Sequence, residues 1–186
     1  DTTLEIGAGA HGDAYYYQNN TVFIACSDGI YVIDVEAKQV KKTIPYTEDG
    51  RTNFLYHTQG ESFAVGLHKT DSGTSDKLIL LDLANETLDY ITVSGAQLGW
   101  NISSGLFALA REGGVAVFSD ESQAKIYHVT LDTQEIITLD SPEASAPIAV
   151  SYDGNHIWAL SGQTVSRIYV PDNKIEDTIA VPSGTD

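Results

Sequence analysis

Residues 31–44, YVIDVEAKQVKKTI, carry the pattern that decides the fold. Each half of the stretch contains an alternating run of apolar residues, and a short polar segment with Glu36 and Lys38 separates the two runs. A period of two is typical of a half-buried strand, and a polar segment of this length is typical of a hairpin turn. The stretch therefore predicts two antiparallel strands joined by a tight turn.

Three later stretches repeat this pattern: ILLDLANETLDYITV (79–93), IYHVTLDTQEIITL (126–139) and RIYVPDNKIEDTIAV (167–181). With Ile33, Leu81, Val129 and Ile168 taken as equivalent, the spacings are 48, 48 and 39 residues. Periods of about 40 to 50 residues with about four strands in each indicate the blades of a β-propeller. We expect a single, partial, all-β propeller domain with four blades of four-stranded antiparallel sheet, at residues 10–46, 52–93, 96–140 and 146–182.

Each hairpin follows two further strand candidates. For the third blade these are residues 97–100, and then a second strand region that combines residues 106–109 with 115–118. No segment keeps the 3.6-residue period of an amphipathic helix, so we expect almost no helix.

Four blades raise the question of how the ring closes. A blade buries its faces only against neighbouring blades, and a closed ring is what protects the end blades. Small four-bladed rings often use a closing disulfide, which the single Cys26 cannot form. We therefore expect these residues to be the C-terminal half of a seven- or eight-bladed ring, with the remaining half of the same propeller as their partner.

The composition restricts the kinds of partner. Ten basic and 26 acidic residues give a formal net charge of −16. Such a charge repels the phosphates of nucleic acid and an anionic membrane surface, so we expect neither as a partner. The apolar runs are too short to cross a bilayer, so we expect no membrane insertion.

The stretch HGDAYYYQNNTVFIACSDGIYVID, residues 11–34, resembles a segment of the AztD family of periplasmic zinc chaperones. The later stretches FALAREGGVAVF (107–118) and IAVSYDGNHIWAL (148–160) follow in a similar order. The resemblance implies a β-propeller that works outside the cytoplasm, in the periplasm. It also implies zinc as the bound metal and the solute-binding protein of an ABC transporter as the partner that receives it.

Zinc prefers nitrogen, sulfur and oxygen ligands from His, Cys, Asp and Glu. A propeller can collect such ligands from the innermost strands of different blades, where these strands line the central channel. The candidate metal ligands are His11 and Asp13 at the start of the first blade, and His57 and Glu61 around the end of the innermost strand of the second. The alternative for His11 and His57 is a hydrogen bond that only fixes the chain locally.

The other histidines and the cysteine favour structural roles. His68 lies beside a polar turn and is expected to be a solvated loop residue, while His128 is expected to pack on a strand face. His156 is expected to cap a hairpin turn. Cys26 ends an apolar run, and we expect it to be a small buried residue, as free cysteine commonly is.

No sequence motif indicates catalysis. There is no Gly-x-Ser-x-Gly elbow, and the glycine-rich stretch at residues 7–14 leads to strands, whereas a dinucleotide loop leads to a helix. We therefore expect a non-catalytic zinc chaperone. The alternatives are a non-catalytic propeller scaffold for protein–protein interaction and a propeller enzyme whose site lies partly in the other half of the ring.

Overall fold

The computed structural model of the protein describes residues 3–10, 14–17, 20–52, 54–57, 62–70, 75–98, 105–112 and 114–182. Within these ranges all regular structure is β, in sixteen strands, with no α-helix. No helix in the described part of the chain is therefore long and apolar enough to span a membrane. The prediction of an all-β fold is confirmed.

The strands form four separate sheets of four, each antiparallel and in chain order, as in propeller blades. Blade 1 contains β1 (Ala14–Tyr17), β2 (Thr21–Ala25), β3 (Ile30–Asp34) and β4 (Gln39–Ile44). Blade 2 contains β5 (Tyr56–His57), β6 (Phe63–Leu67), β7 (Lys77–Asp82) and β8 (Thr87–Thr92).

The second half of the chain repeats the arrangement. Blade 3 contains β9 (Phe107–Leu109), β10 (Val115–Ser119), β11 (Lys125–Thr130) and β12 (Glu135–Asp140). Blade 4 contains β13 (Ile148–Val150), β14 (His156–Ser161), β15 (Thr164–Tyr169) and β16 (Lys174–Ala180). The chain divides into two compact units, Asp1–Ser94 with blades 1 and 2, and Gly95–Asp186 with blades 3 and 4.

The last hairpin of every blade turns in the same way. The residue just before the fourth strand has a left-handed backbone, with φ between 47° and 56°, at Lys38, Glu86, Gln134 and Asn173. A turn that ends in one left-handed residue is a common way to join two antiparallel strands. The recurrence shows that the four hairpins recognised in the sequence are structurally equivalent.

Each unit has its own apolar core between its two blades. In the first unit, Phe23, Ile30 and Val32 of blade 1 cluster with Ile79 and Leu81 of blade 2. All five side chains are fully buried. Full burial of such a side chain stabilises a fold by about 1.5–3 kcal/mol, so these contacts are what hold the two sheets together.

The second unit is built in the same way. Val117 and Ile126 of blade 3 cluster with Ile157 and Ile168 of blade 4. The turn before β14 reinforces the contact, because Gly154 has φ 78° and a Cβ there would lie 3.3 Å from the Val115 side chain. Any larger residue at position 154 would be strained and would press on blade 3.

The structure corrects the strand assignment in blade 3. The first strand of the sheet is β9, and of the predicted strand at residues 97–100 only Gln97 and Leu98 are described. These two lie in no strand, and Leu98 makes an isolated bridge to Asp120. Residues 106–109 and 115–118, which were predicted as one strand region, form two strands paired through Ala116 and Leu109. The turn between them contains Gly114, whose φ of 55° allows a tight reversal.

Candidate functional site

His57 is the predicted metal ligand that the structure describes. It ends β5, the first strand of blade 2, and pairs with Ala64 of β6. Directly paired residues in an antiparallel ladder place their side chains on the same sheet face. Since Ala64 belongs to the core between blades 1 and 2, half-buried His57 lies on the face of blade 2 that is directed toward blade 1.

The other three predicted ligands, His11, Asp13 and Glu61, lie outside the described residues. His11 and Asp13 precede β1 in the sequence, and Glu61 precedes β6. Within the described ranges, no group of three or more His, Cys, Asp or Glu side chains could hold a metal ion. The four-residue ligand set therefore stays a prediction.

His68 is buried, so its prediction as a solvated loop residue is wrong. Its side chain is 3% exposed, and Nδ1 lies 3.1 Å from the Ser75 hydroxyl. The ring meets the Tyr90 ring edge-on at 5.5 Å, and a Cβ at Gly50 would lie 2.6 Å from Nε2. Burial lowers the pKa of His68, which favours the neutral imidazole.

The reason for this burial is non-local. Beyond the end of β6, Arg51 and Lys69 form an antiparallel bridge with N–O distances of 2.7 and 2.8 Å. This bridge brings the segment with Gly50 onto His68. The polar residues that follow His68 in the sequence indicate a solvated loop. They do not indicate that the segment with Gly50 packs over the imidazole.

His128 packs on a strand face, as the sequence predicted. It lies opposite Val117 in the ladder between β10 and β11, on the face of blade 3 directed toward blade 4. The side chain is buried, and this burial lowers its pKa. A neutral, buried imidazole at this position acts as part of the packing between two blades.

The side chain of His156 does not cap a turn, which corrects that prediction. It begins β14 and lies beside the Tyr169 ring, with ring centroids 5.1 Å apart. Its Nε2 is 3.6 Å from a carboxylate oxygen of Glu176, and the same oxygen is 3.3 Å from Nε of Arg167. These four residues form a polar cluster on the face of blade 4 that is turned away from blade 3.

The turn itself is capped by Asp153. Its carboxylate accepts hydrogen bonds from the Ser151 hydroxyl at 2.6 Å and from the Asn155 backbone N–H at 3.1 Å. Hydrogen bonds from Ser151 and Asn155 lower the pKa of Asp153 to about 2. Asp153 and Gly154 are thus turn residues, as the Asp-Gly pair indicates.

Cys26 is a buried packing residue, which confirms its prediction. Its side chain is 1% exposed, and burial together with the nearby Asp28 carboxylate raises the pKa of the thiol. Zinc binds the thiolate form, and a raised pKa disfavours that form. The side chain is therefore poorly suited to bind a metal.

Sequence reasoning missed Asp120, which has the densest set of hydrogen bonds to one carboxylate in the described chain. It is fully buried and accepts backbone N–H groups of Gln97, Ser122 and Gln123 at 2.8–2.9 Å. The hydroxyl of Tyr127 also donates to it at 3.1 Å. Burial by itself would raise the pKa of Asp120, but the backbone hydrogen bonds outweigh it and hold that pKa below its ordinary value.

An apolar groove of about 210 Å³ lies on blade 4, on the same face as the polar cluster. It is lined by Pro147, Ile148, Ala149, Trp158, Leu160 and Val165. Apolar surface of this kind on a sheet face is a candidate contact surface for another part of the protein.

Comparison with solved structures confirms the fold. No family model and no curated protein matches the sequence. The structure of apo AztD from Citrobacter koseri superposes with a TM-score of 0.69 and 17% identity, covering 92% of this chain and 46% of that one. A chain in the crystal structure of the Mitotic Checkpoint Complex superposes with a TM-score of 0.61 and 15% identity, covering 94% of this chain and 51% of that one. The protein is a β-propeller in fold, and its 186 residues span about half the length of each match.

Proposed function

We propose that the intact protein is a zinc chaperone that works outside the cytoplasm, in the periplasm. It binds zinc without catalysing a reaction and passes the metal to the solute-binding protein of an ABC transporter. The observation that supports this proposal best is the fold shared with AztD over 92% of the chain. The segment from His11 to Asp34 adds to it, because it resembles a segment of that same family.

The proposed zinc site combines His11, Asp13, His57 and Glu61. Two imidazoles and two carboxylates are a donor set that suits tetrahedral zinc. The position of His57 is compatible with this set, because its side chain lies on the face of blade 2 directed toward blade 1. His11 and Asp13 are in the segment that leads into the first strand of blade 1.

The remaining half of the ring belongs to the same proposal. Both matched propellers are about twice as long as this chain, so we propose further blades in the intact protein. Those blades would supply additional ligands and part of the surface that docks with the solute-binding protein. The net charge of −16 favours the capture of cations before transfer.

Zinc titration of the complete gene product tests the site. The protein is stripped with a chelator and titrated against a chromophoric zinc indicator. We expect one zinc ion to bind, and His57→Ala and His11→Ala each to weaken binding by at least about tenfold, because even supporting residues of zinc sites change affinity by roughly 10- to 100-fold. Affinity should also fall in acid, because zinc binds the neutral imidazole and competes with protons for it.

His156→Ala is the matched control, because His156 is a half-buried histidine in blade 4 and is not one of the proposed ligands. It should leave zinc affinity unchanged. If the variants of His11, Asp13, His57 and Glu61 all keep the affinity and stoichiometry of the parent protein, the proposed site is wrong.

The second candidate function is a non-catalytic scaffold for protein–protein interaction. The fold shared with a chain of the Mitotic Checkpoint Complex favours it. A complete gene product that binds no zinc but retains a protein partner would favour the scaffold over the chaperone.

A further inference from the structure

The face of blade 4 that is turned away from blade 3 is apolar and open. Leu160 on β14 is 36% exposed and Ile179 on β16 is 56% exposed. Half-buried Val165 on β15 lies between them, since it pairs with both residues in the ladder. These three residues form a row across the blade, which we call the outer row of blade 4.

The other three blades contain the same row at the same ladder positions, and there it is buried. The equivalents are Ala25, Ile30 and Ile44 in blade 1, Leu67, Leu78 and Ile91 in blade 2, and Ser119, Ile126 and Leu139 in blade 3. All nine residues are at most 8% exposed. Blade 4 therefore carries a residue pattern that every other blade buries.

In two of these blades the structure shows what covers the row. The row of blade 1 belongs to the core shared with blade 2, and Ile126 and Leu139 of blade 3 belong to the core shared with blade 4. In both cases the cover is the apolar face of the blade that follows in the chain. The row is thus a contact surface for a following blade.

The next row along blade 4 combines an aromatic and a charged side chain. Trp158 of β14 pairs with Arg167 of β15, and Arg167 already has its countercharge in Glu176. The equivalent pair in blade 3, Val117 and His128, is buried. The partner surface that covers this face of blade 4 should therefore be apolar where it contacts the outer row. It needs no negative charge opposite Arg167, because Glu176 already supplies one.

We propose that the outer row of blade 4 packs against a further propeller blade formed by additional residues of the same polypeptide chain. The inference rests on the proposed longer ring, and it specifies which face carries the contact. The length of both matched propellers supports an occupant from the same chain over a second copy, because each contains roughly as much chain again as the matched part.

Cysteine labelling tests the proposal. Leu160→Cys and Ile179→Cys are prepared in the 186-residue chain and in the complete gene product, and their rates of reaction with a maleimide are measured. Tyr152→Cys is the matched control, because Tyr152 is 64% exposed in the turn before β14. The native Cys26 is buried and contributes only a slow background.

We expect all three cysteines to react at similar rates in the 186-residue chain. In the complete product, Leu160→Cys and Ile179→Cys should react at least about tenfold more slowly than Tyr152→Cys, since a covered side chain reacts only after local opening. The protection should persist on dilution to a concentration at which light scattering gives a monomer.

Three results would overturn the proposal. They are equal rates at all three positions in the complete product, protection that disappears on dilution together with a dimer mass, and a gene product that contains only these 186 residues. The second result would assign the face to a second copy of the chain. None of these results depends on zinc, so loss of the zinc proposal and loss of this one are distinguishable.

Discussion

The two faces of blade 4 have similar residues and different surroundings. On the face toward blade 3, Ile157 and Ile168 pair directly and are fully buried. On the opposite face, Leu160 and Val165 also pair directly, yet Leu160 is exposed and Val165 is half-buried. The difference shows that apolar character is a property of each strand face, whereas burial depends on a neighbouring sheet.

A large-to-small substitution on each face tests this difference in burial most directly. Ile157→Ala should lower the free energy of unfolding of the 186-residue chain by about 3 kcal/mol, because it leaves a cavity between two packed blades. Leu160→Ala should cost less, about 1 kcal/mol, because the residue is already 36% exposed. Urea unfolding of both variants measures the difference.

Equal losses at the two positions would mean that the face of Leu160 is covered in the isolated chain. The same measurement on the complete gene product tests whether a further blade covers this face. If a further blade covers the outer row there, Leu160→Ala should become about as costly as other buried leucine substitutions, about 2–5 kcal/mol.

A buried and an exposed carboxylate extend the comparison to polar groups. Asp120→Asn should destabilise the protein by about 2–3 kcal/mol, because one of the hydrogen-bonded backbone N–H groups would face an amide NH2 in a buried site. Asp153→Asn, at an exposed turn, is the control and should cost less. Thermal unfolding at neutral pH measures both.

The pH dependence checks the same assignment. The pKa of Asp120 is lowered in the folded state, so its stabilisation is present above the pKa of an unfolded aspartate, about 3.9, and is lost as the pH falls through the folded pKa. The deficit of Asp120→Asn should therefore shrink in acid. A deficit that is constant from neutral to strongly acidic pH would contradict a role for the charged form.

The smallest expected effect concerns the buried histidine between blades 3 and 4. Burial lowers the pKa of His128, so the unfolded state takes up a proton first, and stability should fall as the pH drops below about 6.5. His128→Leu should lose less stability than the parent between pH 7 and pH 5. At pH 8 the His128 imidazole is neutral in both the folded and the unfolded state. A comparison at that pH therefore separates the packing effect of the substitution from its effect on protonation.

The repeat was readable from the sequence because local rules determine a hairpin. Ile33, Leu81, Val129 and Ile168 occupy equivalent positions in the structure, since each pairs with the residue seven positions later in the chain. A residue with a left-handed backbone also precedes the last strand of each blade. The start of blade 3 differs from the prediction, because Leu98 lies in an alternating run but makes an isolated bridge, and the first strand of the sheet is β9. Alternation reports a strand conformation and does not report whether a partner strand is available.

The histidines were harder to interpret than the strands. His128 was assigned correctly, since its place in an alternating run indicates a sheet face. His68 and His156 were not, because their surroundings come from Gly50 and Glu176, which lie far from them in the chain. The candidate zinc ligands share a residue type that binds zinc and a place near the first strand of a blade. These two properties do not determine whether the four side chains lie close enough together to bind one ion.

The sequence by itself determined the four hairpins, their turns and the alternation along their strands, because these depend on a residue and its near neighbours in the chain. Only the tertiary structure decided which faces are covered, why His68 and Asp120 are buried, and why the outer row of blade 4 is open. A side chain is buried only when a second surface packs against it. The free energy of that contact depends on the apolar area that both surfaces remove from water, so neither strand determines it alone.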